Sequence, residues 1–167
     1  MRRVVTGHRN GKSVILEDAE ITGQEMPFEG KMAVLWMTKT TPIIPFEEKD
    51  LKKDFPTSMP KPEEMRLIFA VLPPDEVVFK KAKEKGINPV ETWRTYFKDD
   101  YGMHTTETID YIIILSGEIW MEVDDGVEVH LKQFDCVVQN GTRHAWRNKS
   151  SENCIMLAVN VGAKREK

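Results

Sequence analysis

The sequence reads as a mostly-β chain, an antiparallel barrel or double-sheet jelly roll, and three observations lead to that class. Short apolar runs recur through the last third, at residues 109–115, 118–123, 127–131, 136–139, 145–147 and 154–161. Turn signals separate them at close intervals: Ser116-Gly117, Asp124-Asp125-Gly126, Asn140-Gly141 and Lys149-Ser150-Ser151. Helical spacing is confined to a region between residues 75 and 97. Runs this short, punctuated this often, suit a sandwich or barrel of antiparallel strands.

Each element can be justified in turn. Residues 3–18 hold two apolar runs around Asn10-Gly11, a dipeptide that accepts the left-handed conformation of a tight hairpin turn. Residues 32–38 form a further strand. Pro42, Pro45, Pro56, Pro60 and Pro62 then punctuate a lysine- and glutamate-rich stretch, so residues 42–65 read as a long surface loop. Residues 66–72 return to an apolar strand, which Pro73-Pro74 stops because proline cannot continue a ladder. Pro74-Asp75-Glu76 suits a helix start, Val77, Val78, Phe79 and Ala82 give an apolar stripe, and Gly86 ends a helix over about 75–85. Asn88-Pro89 opens a second short helix, where Val90, Trp93, Tyr96 and Phe97 share one face.

The whole chain of 167 residues fits one domain, with 40% apolar and 31% charged residues. Its 24 basic and 27 acidic residues leave a net charge of −3, which gives nucleic acid no electrostatic footprint. The longest aliphatic run, from Ile112 to Leu115, is far below the ~20 residues that span a bilayer. Arg2-Arg3 is followed by no sustained apolar region, so the start is read as mature cytoplasmic sequence. Cys136 and Cys154 both lie in apolar runs and read as two inert core thiols.

The chemistry concentrates between His104 and Asn148. Side chains alternate along a strand, so His104, Thr106 and Asp110 point the same way, and a hairpin can bring His144 opposite them. Glu107 has the opposite parity. Trp120 and Trp146 flank this region and can wall a small-molecule site or simply fill a core. Arg143 and Arg147 bracket His144 and can fork onto a substrate carboxylate or stay solvated. His8 reads as a turn residue or as part of an arm over the cavity, and His130 as solvent- or partner-facing. Tyr96, Tyr101 and Tyr111 offer hydroxyls, none singled out by the sequence.

Two segments resemble the paired motifs of the cupin superfamily: residues 102–118, and residues 134–148 after the Asp124-Asp125-Gly126 turn. Aligned on Gly117 and Gly141, His104 falls on the family's first histidine, Thr106 on its second, Asp110 on its glutamate and His144 on its last histidine. Phe134 stands where a turn glycine is usual and Gln139 where proline is usual. The resemblance implies a cupin-type double-stranded β-helix, with an N-terminal extension over residues 1–103 and the core motifs over 104–163 of a single structural domain. It also implies homodimer formation through extra strands.

For the site it implies a divalent ion (Fe, Zn, Mn or Ni) on His104, Asp110 and His144, with Thr106, Trp120, Trp146 and Arg143 near substrate. Threonine is a poor ligand beside imidazole and carboxylate, so only a two-nitrogen, one-oxygen triad is on offer. The same residues can instead form a buried hydrogen-bonded network without metal, with Asp110 setting histidine acid–base roles. Two functions therefore stay open. One is a metal-dependent oxygenase, lyase or isomerase acting on a small organic acid or aromatic molecule; the other is a non-catalytic binder of a small metabolite.

Overall fold

Asn10 and Gly11 take φ values of 52° and 75°, the backbone a two-residue hairpin turn needs. They fold β1 (Arg2–Arg9) onto β2 (Lys12–Glu20). This computed structural model describes residues 1–26, 29–52, 55–56, 59–88 and 102–166. A short β3 (Gln24–Glu25), not foreseen from the sequence, leads into β4 (Lys31–Thr38). In the proline-rich stretch that follows, the described residues hold a short 3-10 helix (Glu48–Asp50), and Phe46 and Phe55 set their rings 5.8 and 5.5 Å from Trp36. The chain returns as β5 (Met65–Leu72).

Helix α1 (Asp75–Glu84) begins directly after Pro74 with two acids in its first turn and buries Val78 and Ala82. Negative charge is favourable there because it faces the unpaired N–H groups of the helix start. The second expected helix, with Val90, Trp93, Tyr96 and Phe97, lies outside the described residues.

Six strands follow as predicted, their ends shifted by no more than one residue: β6 (Thr108–Ser116), β7 (Glu118–Glu122), β8 (Glu128–Lys132), β9 (Cys136–Asn140), β10 (Ala145–Arg147) and β11 (Cys154–Gly162). They sort into a six-stranded sheet in the order β3-β4-β5-β11-β6-β9 and a three-stranded sheet, β10-β7-β8. The early strands β4 and β5 thus complete the sheet that carries β6 and β11.

The two sheets share one apolar core. Ile112, Ile114, Val137, Cys154 and Met156 of the large sheet pack with Ile119 and Leu131 of the small one, and Met121 and Trp146 close around them. Gly117, with φ 73°, makes the step from β6 to β7. A Cβ there would sit 2.5 Å from the Asn153 carbonyl oxygen, so the chain can pass only as glycine.

One cysteine departs from expectation. Cys154 is fully buried, but Cys136 is exposed, because Val137 and Gln139 take the inward parity of β9. Phe134 departs in another way: it keeps the positive φ of a turn glycine, 73°, while carrying a large exposed ring.

Candidate functional site

The site starts from a backbone contact. His104 and His144 form an isolated antiparallel bridge, each donating its N–H to the other's carbonyl at 2.8 and 2.9 Å. The bridge brings the two imidazoles together, with ring centroids 4.4 Å apart and planes tilted by 48°. The Nδ1 of His104 lies 2.8 Å from the Gly102 carbonyl oxygen. The Nδ1 of His144 lies 3.0 Å from the Thr142 carbonyl oxygen and 2.8 Å from the Gln139 amide nitrogen. Gln139 is itself fixed, donating to the Thr142 carbonyl at 2.7 Å and accepting from Gly141 N–H at 2.8 Å. Proline at that position would lack this amide.

Behind the histidines runs a polar row that the register builds across five strands. Met37, Arg66, Asn160, Asp110 and Gln139 stand opposite one another in β4, β5, β11, β6 and β9. Arg66 Nε donates to Asn160 Oδ1 at 3.1 Å, and Asn160 Nδ2 donates to Asp110 Oδ1 at 2.7 Å. Arg66, Asn160, Asp110, Gln139 and His144 are each at most 5% exposed. A buried cation and a buried carboxylate are tolerable where an amide lies between them and hydrogen-bonds both. Burial holds the Arg66 guanidinium below its ordinary value, an effect that Asp110 opposes.

Burial also sets the charge of the imidazoles. It pushes His104 down to about 4, helped by the neighbouring His144 and opposed by the Gly102 carbonyl. His144 is lowered by burial too, but the Thr142 carbonyl and then Asp110 favour its protonated form. Both rings are therefore neutral near pH 7, and His144 is the better placed to take a proton.

The remaining sequence-predicted site residues are not all brought to the histidine pair. Trp146 meets His144 edge-on, ring centroids 5.8 Å apart. Thr106 is buried, its hydroxyl accepting from Thr108 at 2.8 Å. Trp120 is on the far face, stacked on His130 with centroids 4.0 Å apart and planes 2° apart. Arg143 forms an exposed ion pair with Asp124 at 3.0 Å. His130 is exposed and reaches Glu118 at 2.8 Å, as the parity of β8 requires. His8 stays with the hairpin, where its N–H bonds Phe46.

Arg66 and Asn160 were missed in the sequence. The available signal was a polar residue at an inward position of an otherwise apolar strand, at the start of residues 66–72 and near the end of 154–161.

The donors fit a metal poorly. The histidine pair could supply two nitrogens, while Asp110, the third donor of the expected triad, accepts from Asn160 through Oδ1 and lies in the row that reaches Arg66. Among the described residues no three His, Cys, Asp or Glu side chains gather as a metal-binding group.

Residues 98–160 match the cupin domain model, Cupin_2. A stretch of 48 residues is 52% identical to the phomopsin biosynthesis cluster protein C' of Diaporthe leptostromiformis, covering 29% of this chain and 25% of that protein. Another 47-residue match is 43% identical to the oryzines biosynthesis cluster protein J of Aspergillus oryzae, covering 28% and 26%. The chain thus matches about a quarter of the length of these curated relatives. Among solved structures, a protein assigned to ethanolamine utilization (protein Q) from Salmonella typhimurium LT2 aligns over 98% of both chains at 12% identity, with a TM-score of 0.49. No helix among the described residues is long and apolar enough to cross a membrane.

Proposed function

From the match of residues 98–160 to the cupin domain model, we propose an enzyme that transfers a proton on a small organic acid or aromatic molecule, a reaction of the isomerase or lyase type. The observation that carries the reading is the facing pair of neutral imidazoles, the half-buried His104 and the buried His144, with ring centroids 4.4 Å apart. In the tautomer that donates Nδ1–H to the Thr142 carbonyl, which requires the Gln139 amide nitrogen to turn from that ring nitrogen and keep only its bond to Thr142, His144 has Nε2 as the proton acceptor. Asp110 favours the imidazolium that results. His104, its Nδ1 turned to Gly102, stays neutral and hydrogen-bonds the substrate. The sequence similarity to two proteins of biosynthesis clusters supports a small-molecule substrate.

The test uses full-length protein stripped with a chelator and incubated in heavy water with a panel of small keto acids, hydroxy acids and phenols. Carbon-bound proton exchange is followed by NMR. The expected result is exchange by the stripped protein that falls about 10²-fold or more in His144→Ala. Exchange that requires stoichiometric metal, bound by the wild type and lost in His104→Ala, would overturn this reading in favour of a metalloenzyme. Saturable binding of a panel compound with no exchange would replace it with a non-catalytic binder.

A further inference from the structure

We propose that the space between the β1–β2 hairpin and the outer face of the six-stranded sheet is a second small-molecule site, which takes a neutral aromatic ligand carrying a hydrogen-bond acceptor at one end. The cavity there measures about 650 Å³, whereas native interiors leave few voids larger than a water molecule. Small-molecule sites fill roughly 300–1,000 Å³ and combine apolar walls with a few placed polar groups. The walls here are Val4 and Val5 of the hairpin, Phe46, and a row of Trp36, Leu67 and Val159 that register aligns across β4, β5 and β11. That row has the parity opposite to Met37, Arg66 and Asn160, whose row runs on to Gln139 and His144. The cavity and the histidine pair therefore lie on opposite faces of the sheet.

Two hydrogen bonds tie the hairpin to its neighbours and leave the space between them. The β4 register slips between Val34 and Trp36, so Leu35 has no ladder partner in β5, and its carbonyl is left to accept from Arg3 Nη1 at 2.9 Å. Further along β1, the His8 N–H donates to the Phe46 carbonyl at 2.7 Å.

Arg3 supplies the polar end of the site. Its side chain is 9% exposed and is paired with Glu17, itself 13% exposed, at 2.6 Å through Nη2 and 2.7 Å through Nε. The guanidinium carbon lies 5.9 and 5.5 Å from the ring centroids of Trp36 and Phe55, and these cation–π contacts help to fix it. A guanidinium carries five N–H donors, more than Glu17 and the Leu35 carbonyl take up. Arg3 thus brings donor capacity to a cavity with mostly apolar walls. Because Glu17 already balances its charge, a neutral carbonyl gains a charge-assisted bond there, while a carboxylate would be desolvated near Glu17 with one cation to share.

The occupant is a small molecule because the hairpin overhangs the cavity. A strand or helix of another protein could enter only by pulling β1 from Leu35 and Phe46.

Equilibrium dialysis of the full chain against 2-acetonaphthone, 2-naphthoate and naphthalene, which share one ring system and differ at the polar end, tests the proposal. The expected result is one ketone bound per chain, with naphthalene and the carboxylate each about tenfold weaker or more. Leu67→Trp fills the cavity and abolishes ketone binding. Val4→Trp fills it from the hairpin side and decides the matter if Leu67→Trp fails to fold. Replacing the ion pair together, Arg3→Met with Glu17→Met, lowers the ketone to the level of naphthalene and leaves naphthalene itself unchanged. His144→Ala binds the ketone as the wild type does. Ketone binding that is lost in His144→Ala and kept in both tryptophan variants would overturn the proposal and assign the ligand to the histidine pair. So would the absence of saturable binding by any of the probes, equal affinity for all of them, or a carboxylate that binds more tightly than the ketone.

Discussion

The two sheets share one core but treat their far sides differently. Along β7 and β8 of the small sheet, Ile119, Met121 and Leu131 turn inward, while Glu118, Trp120, Glu122, Glu128 and His130 make a polar outer face. The large sheet places apolar residues on both faces and gathers its buried charged residues, Arg66 and Asp110, in a single inward row, Arg66-Asn160-Asp110-Gln139. Among the polar groups on the small sheet, Glu118, Glu128 and His130 have water for a partner and cost little, and only Glu122 is drawn into a largely buried ion pair, with Arg147 of β10 at 2.7 Å. Those on the large sheet are buried and must be paired with one another, so they fix geometry. The large sheet therefore backs the histidines, and changes on the two sheets should differ by several kcal/mol.

The largest effect is expected where the buried row is cut. Asn160→Leu keeps the volume but removes the amide that bonds both Arg66 and Asp110. Two charged groups lose hydrogen bonds in the interior, which costs about 3–5 kcal/mol. Urea denaturation should show the midpoint fall by that equivalent at unchanged slope. A loss below ~1 kcal/mol would mean that the row is as wet as the small sheet's outer face.

The histidine pair gives the next effect, with a defined sign. His104 ionises at about 4 in the folded chain and near 6.5 when unfolded. Between these values the unfolded chain binds the proton and the folded chain does not, so stability is full above pH 6.5 and falls as pH drops toward 4. The total is on the order of 3 kcal/mol, and His144, lowered in the same direction, adds to it. His104→Gln should flatten the pH dependence of thermal unfolding over this window. A slope unchanged by that substitution would show that His104 is already charged in the folded protein.

Two glycines compare the junction between the sheets with the free hairpin. Gly117→Ala forces a methyl against the Asn153 carbonyl and keeps a φ of 73°, for a loss of about 1–3 kcal/mol. Gly11 has a similar φ, 75°, but open space around it, so Gly11→Ala should cost about 1 kcal/mol or less. Thermal unfolding of the two variants side by side separates steric closure from backbone strain. Equal losses would remove the close approach to Asn153 as a cause.

Most of the fold could be read from local pattern, because strand parity and turn glycines act over a few residues. The hairpin at Asn10-Gly11, the start of α1 after Pro74 and all six C-terminal strands follow from such signals. The histidine pair was also within reach, since motif spacing aligned His104 and His144. What local pattern could not supply was the row behind them. Arg66 and Asn160 are 94 residues apart and meet only because β5 and β11 are neighbours, a pairing that no local spacing encodes. Cys136 and Trp120 were misplaced for a related reason: apolar character alone does not say which face of a two-sided strand a residue takes.

The smallest expected effect lies on the small sheet's wet face, and it completes the contrast. His130 stacks on Trp120 and meets Glu118 at 2.8 Å, a geometry as tidy as any in the buried row. Both partners of the ion pair are about a third exposed, so water competes for each group and salt screens the charge. His130→Ala should therefore shift stability by ~0–1 kcal/mol and leave proton exchange at His144 unaltered. Comparing that variant with Asn160→Leu in denaturant isolates burial as the variable, since both remove a side chain with well-formed polar contacts. A loss from His130→Ala that matches Asn160→Leu would mean that the outer face of the small sheet is itself covered in solution, and the difference between the two sheets would disappear.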